Sequence, residues 1–148
     1  MTLQTSSDTS CQTDPARSAI TDALHLYCTA VDSYNTELFL TLWTVDASLD
    51  FGKRYCGPPS GFIDSIIDTR GQTSEMSHAI ETVHIEIAAD ALSAESRSVV
   101  CATVARVSPE GNIRRKVRGI YKDRWILSED RWLIQHRHYQ TTEETKLS

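Results

Sequence analysis

Beyond Gly71 the chain is built almost entirely of four long runs of alternating character, about 77–88, 95–107, 114–127 and 131–141. Each exceeds the roughly 3–10 residues of an ordinary strand. Short turn-forming stretches separate them, at Asp90 to Ser93, Ser108-Pro-Glu-Gly-Asn112 and Ser128-Glu-Asp130. Long strands joined this tightly pair with their neighbours in sequence and form an antiparallel meander. In the third run Val117, Gly119, Tyr121, Trp125 and Leu127 share one face, while Arg114, Lys116, Arg118, Lys122 and Arg124 share the other. Such alternation means a sheet with one buried and one wet side, so the buried side must be covered by what precedes residue 71.

What precedes it is mostly helical. Asp14-Pro15 supplies a helix cap followed by proline in the first turn, and Ile20, Leu24, Tyr27, Val31 and Tyr34 then recur at spacings of four and three. Asn35-Thr36 breaks that stripe. A short second helix carries Leu38, Phe39, Leu42 and Trp43, and Ala47 to Phe51 reads as a strand ended by Gly52. After the Gly57-Pro58-Pro59-Ser60-Gly61 loop, Ser60 is placed to cap a third helix running through Phe62, Ile63, Ile66 and Ile67 to about Arg70. Helices followed by a meander predict an α+β domain. Its N-terminal helices pack in the concave face of a curved antiparallel sheet, a half-barrel or cone with a pocket between the long helix and the strands.

The domain is expected over residues 15–141. Residues 1–14, polar and nearly free of apolar side chains, are expected as a disordered tail, and 142–148 as a flexible C-terminal tail. With 148 residues, 40% of them apolar, the chain has material for one core of moderate size. A net charge of −5 argues against a nucleic-acid partner, and the cluster Arg114, Arg115, Lys116, Arg118, Lys122 and Arg124 reads as a solvated strand face. No apolar stretch is long enough for a membrane span, and the N-terminus lacks the order of a signal peptide, so a cytoplasmic protein without a membrane partner is expected. Four cysteines, without C-x-x-C or zinc spacing, are expected as reduced thiols. Cys28 and Cys101 fall in apolar runs; Cys56, in the Gly/Pro loop, is the one whose reactivity invites a test.

Two residues stand out for chemistry. Asp32 lies late in the first helix, at the border of its apolar stripe, and His78 opens the first long strand. A carboxylate that orients an imidazole and stabilises its cation makes a general base that works near neutral pH. Taken separately, the bland readings are a surface acid and a strand-edge histidine. Tyr27 and Tyr34 flank the acid with phenols that can donate to a carboxylate or bind a substrate oxygen. Strict alternation groups His78 with Ile80, Thr82, His84 and Glu86, and places Val83, Ile85 and Ile87 on the other face. A bulge or sharp bend is therefore required if His78 is to enter an apolar pocket.

On the last run, His136 and His138 point one way and could begin a metal site, but no further ligands accompany them, so no metal is expected. Arg137 points the other way, with Leu133 and Tyr139, as a cation that could hold a substrate oxygen; the alternative is a salt bridge to Asp32, Asp50 or Asp123. No serine- or cysteine-nucleophile context is present.

The run Tyr27-Cys-Thr-Ala-Val-Asp32-Ser-Tyr34, the segment Leu42-Trp43-Thr-Val-Asp46-Ala-Ser-Leu-Asp50-Phe51-Gly52, the Ser77-His78 strand opening and the closing Asp130-Arg-Trp132-Leu-Ile-Gln-His-Arg137 resemble the SnoaL-like proteins. These form part of the nuclear transport factor and scytalone dehydratase superfamily, and the resemblance covers about residues 15–140. It implies the cone fold, a homodimer through the sheet or a higher homo-oligomer, and an acid–histidine catalytic dyad at Asp32 and His78. The bile-acid dehydratase branch adds a tyrosine and an arginine at positions matching Tyr27 and Arg137, but its further acid falls near Val104. The scytalone dehydratase pattern Asp-Ser-Tyr-Asp becomes Asp32-Ser33-Tyr34-Asn35 here. Neither branch's pattern is complete.

The expected function is a cofactor-independent lyase of the dehydratase type, acting by β-elimination on a small hydrophobic substrate containing a ring. Asp32, His78, Tyr27 and Arg137 would be catalytic, with Tyr34, Trp43, Phe51 and Tyr121 binding substrate. The alternatives are an isomerase or a polyketide or terpenoid cyclase using the same pocket, and a non-catalytic small-molecule-binding protein. A pocket filled by Trp43, Phe51 and Tyr121 would favour the last.

Overall fold

A computed structural model of the chain describes residues 2–147, with side chains from Pro15 onward; the expected tail over residues 1–14 lies outside the residues whose packing is described. In chain order the elements are α1 (Thr2–Asp32), α2 (Thr36–Leu40), β1 (Trp43–Asp50), β2 (Cys56–Gly57), α3 (Pro59–Asp68), a 3-10 turn at Arg70–Gln72, and the long strands β3 (Thr73–Ile87), β4 (Ser93–Ser108), β5 (Gly111–Ser128) and β6 (Arg131–Lys146). The strands form one sheet in the order β2-β1-β6-β5-β4-β3. β3 to β6 are the antiparallel meander that the alternation predicts, while β1 joins parallel to β6, with Leu49 beside Arg137.

The helices close the concave face. Ile20, Leu24, Tyr27 and Val31 of α1 are fully buried, and Phe39, Phe62 and Ile63 from α2 and α3 join them against Trp125 and Ile134 of the sheet. Each such side chain is worth about 1.5–3 kcal/mol when removed from water, which makes this seam the main stabilising term. No helix among the described residues is long and apolar enough to cross a membrane.

Several boundaries move. α1 runs from Thr2 with Pro15 inside it, so Asp14-Pro15 is not the helix start that the cap signal predicted. α2 stops at Leu40, so Leu42 and Trp43 leave the expected helix and Trp43 opens β1. Ser60 does not cap α3: Pro58 is the cap residue and Pro59 the first helical one, so a pre-set backbone angle starts the helix where a side-chain bond was expected. β6 continues to Lys146 in register with β5, so residues 142–146 are strand where a tail was expected. Charge accounts for the extension. Glu143 and Glu144 pair with Arg118 and Arg115, while Glu75 and Glu81 of β3 pair with Arg114 and Arg118. On the wet face of β5, Arg114 and Arg118 are thus matched by acids from other strands, while Arg115 belongs by parity to the face of Val117 and Tyr121.

Among several register shifts in the sheet, one bulge in β3 and one in β6 decide which side chains near the cavity face inward. In β3, Ile80 pairs with Val100 but Thr82 pairs with Val99, leaving Glu81 as an extra residue. Parity switches there, so Ile80 on one side of the bulge and Val83, Ile85 and Ile87 on the other all pack against the core. In β6, His136 pairs with Arg124 and Ile134 with Trp125, which makes Gln135 the extra residue. Ile134 and Arg137 are therefore both fully buried although three apart, and Ile134 takes the inward place expected for Leu133.

Gly119, in the middle of β5, leaves room for the ring of Tyr139, which an added Cβ would strike. That ring stacks on Phe51 with centroids 5.0 Å apart. Gly119→Ala is expected to cost about 1–3 kcal/mol through overpacking. Urea denaturation is the measurement, and the cost should shrink in a Tyr139→Leu background, where the obstruction is smaller.

Candidate active site

The site begins at the end of α1. Tyr34 has φ of 57°, in the left-handed region, and the amides of Tyr34 and Asn35 donate to the carbonyls of Val31 and Ala30 at 3.2 and 2.8 Å. This is a Schellman closure with tyrosine in the place usually given to glycine, a substitution costing about 1–2 kcal/mol. It ends the helix directly after Asp32 and turns the chain away. The Tyr34 ring then lies under Arg70, 4.7 Å from its guanidinium carbon, and does not line the cavity.

Asp32 faces the first part of β3. Its Oδ2 accepts from the backbone amide of His78 at 2.8 Å, and its Oδ1 lies 2.6 Å from His78 Nδ1. An ionised carboxylate can only accept, so Nδ1 is the nitrogen that donates to Asp32, and in the neutral ring Nε2 is the one with a lone pair. With side-chain exposures of 24% for Asp32 and 16% for His78, the pair is largely sheltered from water. The bend that alternation required is the Glu81 bulge, and His78 lines an internal cavity.

That cavity has a volume of about 70 Å³. Tyr27, Phe51, Phe62, Tyr121 and Tyr139 give it aromatic walls, Val100, Ala102, Val104 and Val117 form the sheet side, and Arg54, Met76 and Arg106 complete the lining. Ligand sites more commonly span about 300–1,000 Å³, so a ring-bearing ligand has to displace part of this wall. A larger hollow of about 560 Å³ lies on the opposite, wet face of the sheet, among Arg97, Lys122, Arg124, His136 and His138. It contains no part of the dyad. His136 there lies with Nδ1 2.7 Å from Ser48 Oγ.

Arg137 is fully buried behind the cavity wall and is not part of the lining. Its Nε and one Nη bond both oxygens of Asp123 at 2.7 and 2.8 Å, the alternative that the sequence left open. The guanidinium lies over the rings of Tyr121 and Tyr27, with its carbon 3.7 and 4.2 Å from their centroids. Burial pulls the pKa of Arg137 down, but the charge and hydrogen bonds of Asp123 outweigh it and hold it above the ordinary guanidinium value. Burial also pushes both phenols up, against the pull of Arg137. Both tyrosines therefore remain protonated hydrogen-bond donors at neutral pH.

Of the remaining candidates, Phe51 and Tyr121 line the cavity, whereas Trp43 is core, packed on Tyr27 and Phe39. Of the three acids the sequence offered as partners for Arg137, Asp123 is the one it meets, and it shares parity with Tyr121 and Trp125. The sequence reading missed Arg106, which shares parity with Val100, Ala102 and Val104.

A curved sheet closed by helices, with an acid and an imidazole meeting at an internal cavity, defines an α+β cone protein. Residues 13–138 match the SnoaL-like domain, and the chain belongs to that family. No curated protein matches it in sequence. Among solved structures, a type 2 hexachlorocyclohexane dehydrochlorinase (LinA) is similar with a TM-score of 0.83 and 18% identity, over 94% of this chain and 93% of that one. A candidate scytalone dehydratase from Novosphingobium aromaticivorans follows at a TM-score of 0.81 and 17% identity, over 94% and 92%. The Kfla4162 protein from Kribbella flavida gives 0.78 and 19%, over 90% and 95%. At these identities the likeness is one of fold.

Asp123→Asn is expected to destabilise the protein by roughly 3–5 kcal/mol, because it leaves the Arg137 cation buried without a counter-charge. Chemical denaturation checks this. Replacing both partners, Asp123→Leu with Arg137→Met, should recover most of the loss.

Proposed function

We propose that this protein is a cofactor-independent lyase that eliminates water or another small leaving group from a hydrophobic molecule containing a ring. The observation that supports it is the 2.6 Å contact between Asp32 Oδ1 and His78 Nδ1, made where the imidazole borders an internal cavity. In this reading His78 Nε2 takes a proton from a substrate carbon activated by a neighbouring carbonyl. The C–H electron pair becomes the new double bond, and the leaving group departs from the adjacent carbon with its bonding pair, a halide as the anion and a hydroxyl as water once it takes up the proton held by the imidazolium, which in the halide case passes to solvent. Asp32 holds the imidazole in the required tautomer and stabilises the cation that forms. Tyr27, kept protonated by burial and lining the cavity, donates to the oxygen on which charge develops. Arg137 acts as a positioning residue, fixing the Tyr27 and Tyr121 rings from behind.

One structural relative is named a dehydrochlorinase and another a candidate dehydratase, both names for elimination chemistry, which favours this direction. Isomerisation or cyclisation uses the same base but returns the proton to the product. Product mass separates the two, by loss of water or acid against no change. The aromatic filling by Phe51 and Tyr121 favours, as a second reading, a binding protein without turnover. Screening hydroxylated and halogenated ring ketones for a change in mass decides between them.

With a turned-over substrate in hand, His78→Ala and Asp32→Asn are each expected to lower kcat by ~10²–10⁴-fold. Steady-state kinetics is the check, and full turnover by His78→Ala would mean that the dyad is not the base.

A further inference from the structure

Val100, Ala102, Val104 and Arg106 alternate onto one face of β4 and all border the cavity, so a guanidinium ends a row of small apolar side chains. Ala102 pairs with His78. At a strand rise of about 3.3 Å per residue, Arg106 sits about 13 Å further along. Its Nη1 donates to Thr73 Oγ1 at 2.7 Å, and the Thr73 hydroxyl donates in turn to the Thr69 carbonyl at 2.9 Å. This relay anchors one corner of the guanidinium. Among the described residues no carboxylate reaches Arg106, and Arg54, on the same cavity, has no hydrogen-bond or ion-pair partner.

Arg17, Arg54, Arg70, Arg97, Arg124 and Arg131 also meet no carboxylate among the described residues, but all of them are exposed, whereas Arg106 is half-buried. The chain has 20 Asp and Glu residues against 15 Lys and Arg. Arg114, Arg115, Arg118 and Arg137 each meet a carboxylate. Asp32, the acid beside the cavity, is committed to His78. A half-buried cation without a counter-charge pays a desolvation cost that an incoming anion relieves, and the free edge of a guanidinium fits a carboxylate with two parallel bonds.

We propose that Arg106, assisted by Arg54, binds a carboxylate, and that the natural ligand is an amphipathic acid whose apolar body lies along the β4 row while its carboxylate sits at the arginines. For the end of the ligand that reacts at His78, this rests on the lyase reading above. The carboxylate anchor sets how deep the ligand enters and so which carbon meets the base. Arg106 is then a specificity-determining residue.

The test is calorimetric titration of the full chain with a matched pair, 2-naphthylacetate and the neutral 2-naphthylacetamide. Wild type should bind the acid about 10- to 100-fold more tightly than the amide, as expected for hydrogen bonds to a charged group. Arg106→Gln should abolish the difference, Arg106→Lys should keep part of it, and Arg54→Gln should reduce it; circular dichroism verifies folding of each variant. Equal affinity for acid and amide, no binding of the acid at millimolar concentration, or an acid preference that survives Arg106→Gln overturns the proposal. The ratio is read without turnover, so its failure leaves the dyad chemistry standing, and full activity of His78→Ala would leave the carboxylate site standing.

Discussion

One carboxylate at the end of α1 grips a single residue of β3 twice, through the amide and the ring of His78. The backbone bond fixes where the helix end sits along the strand. The ring bond, made from the same carboxylate, leaves the imidazole little freedom to turn. Position and ring orientation are thereby set together. The Schellman closure at Tyr34 supplies the other half of this arrangement, since a helix that ran one turn further would carry its apolar stripe past the sheet.

Behind the cavity the protein holds a full positive charge in its core. A buried ion pair such as Arg137 with Asp123 rarely adds net stability, because desolvation offsets most of the attraction. Its evident effect is geometric: a planar cation faced by two tyrosine rings orients both, and those rings form the inner wall of the cavity. The phenols meanwhile remain donors. Core packing and the polarity of the site are here properties of the same few side chains.

Much of this was legible in the residues. Alternation over the last four strands specified the meander, and the four-and-three spacing of Ile20, Leu24, Tyr27 and Val31 specified which helix face it would meet. The residues alone left open whether Asp32 and His78 meet, and their pairing was what the resemblance to the SnoaL-like proteins implied. Period-2 counting fails where a bulge intervenes. It correctly demanded an irregularity near His78 without locating it at Glu81, and it misplaced Leu133 because Gln135 is an extra residue. Tyr34 was misread because a left-handed backbone angle redirects a side chain in a way that helical spacing does not anticipate. Arg106 escaped notice since its meaning lies in what fails to approach it, a property of three dimensions.

The bulge at Glu81 has a second consequence. β3 lies at the border of the sheet, where a flat row of unsatisfied amides and carbonyls would invite a foreign strand to add on and start a fibre. An extra residue breaks that row midway, and the Arg17 side chain already occupies the carbonyl of Ile85 further along. The kink that reverses side-chain parity three residues beyond His78 is thus also an interruption of the open border of the kind that discourages edge-to-edge pairing.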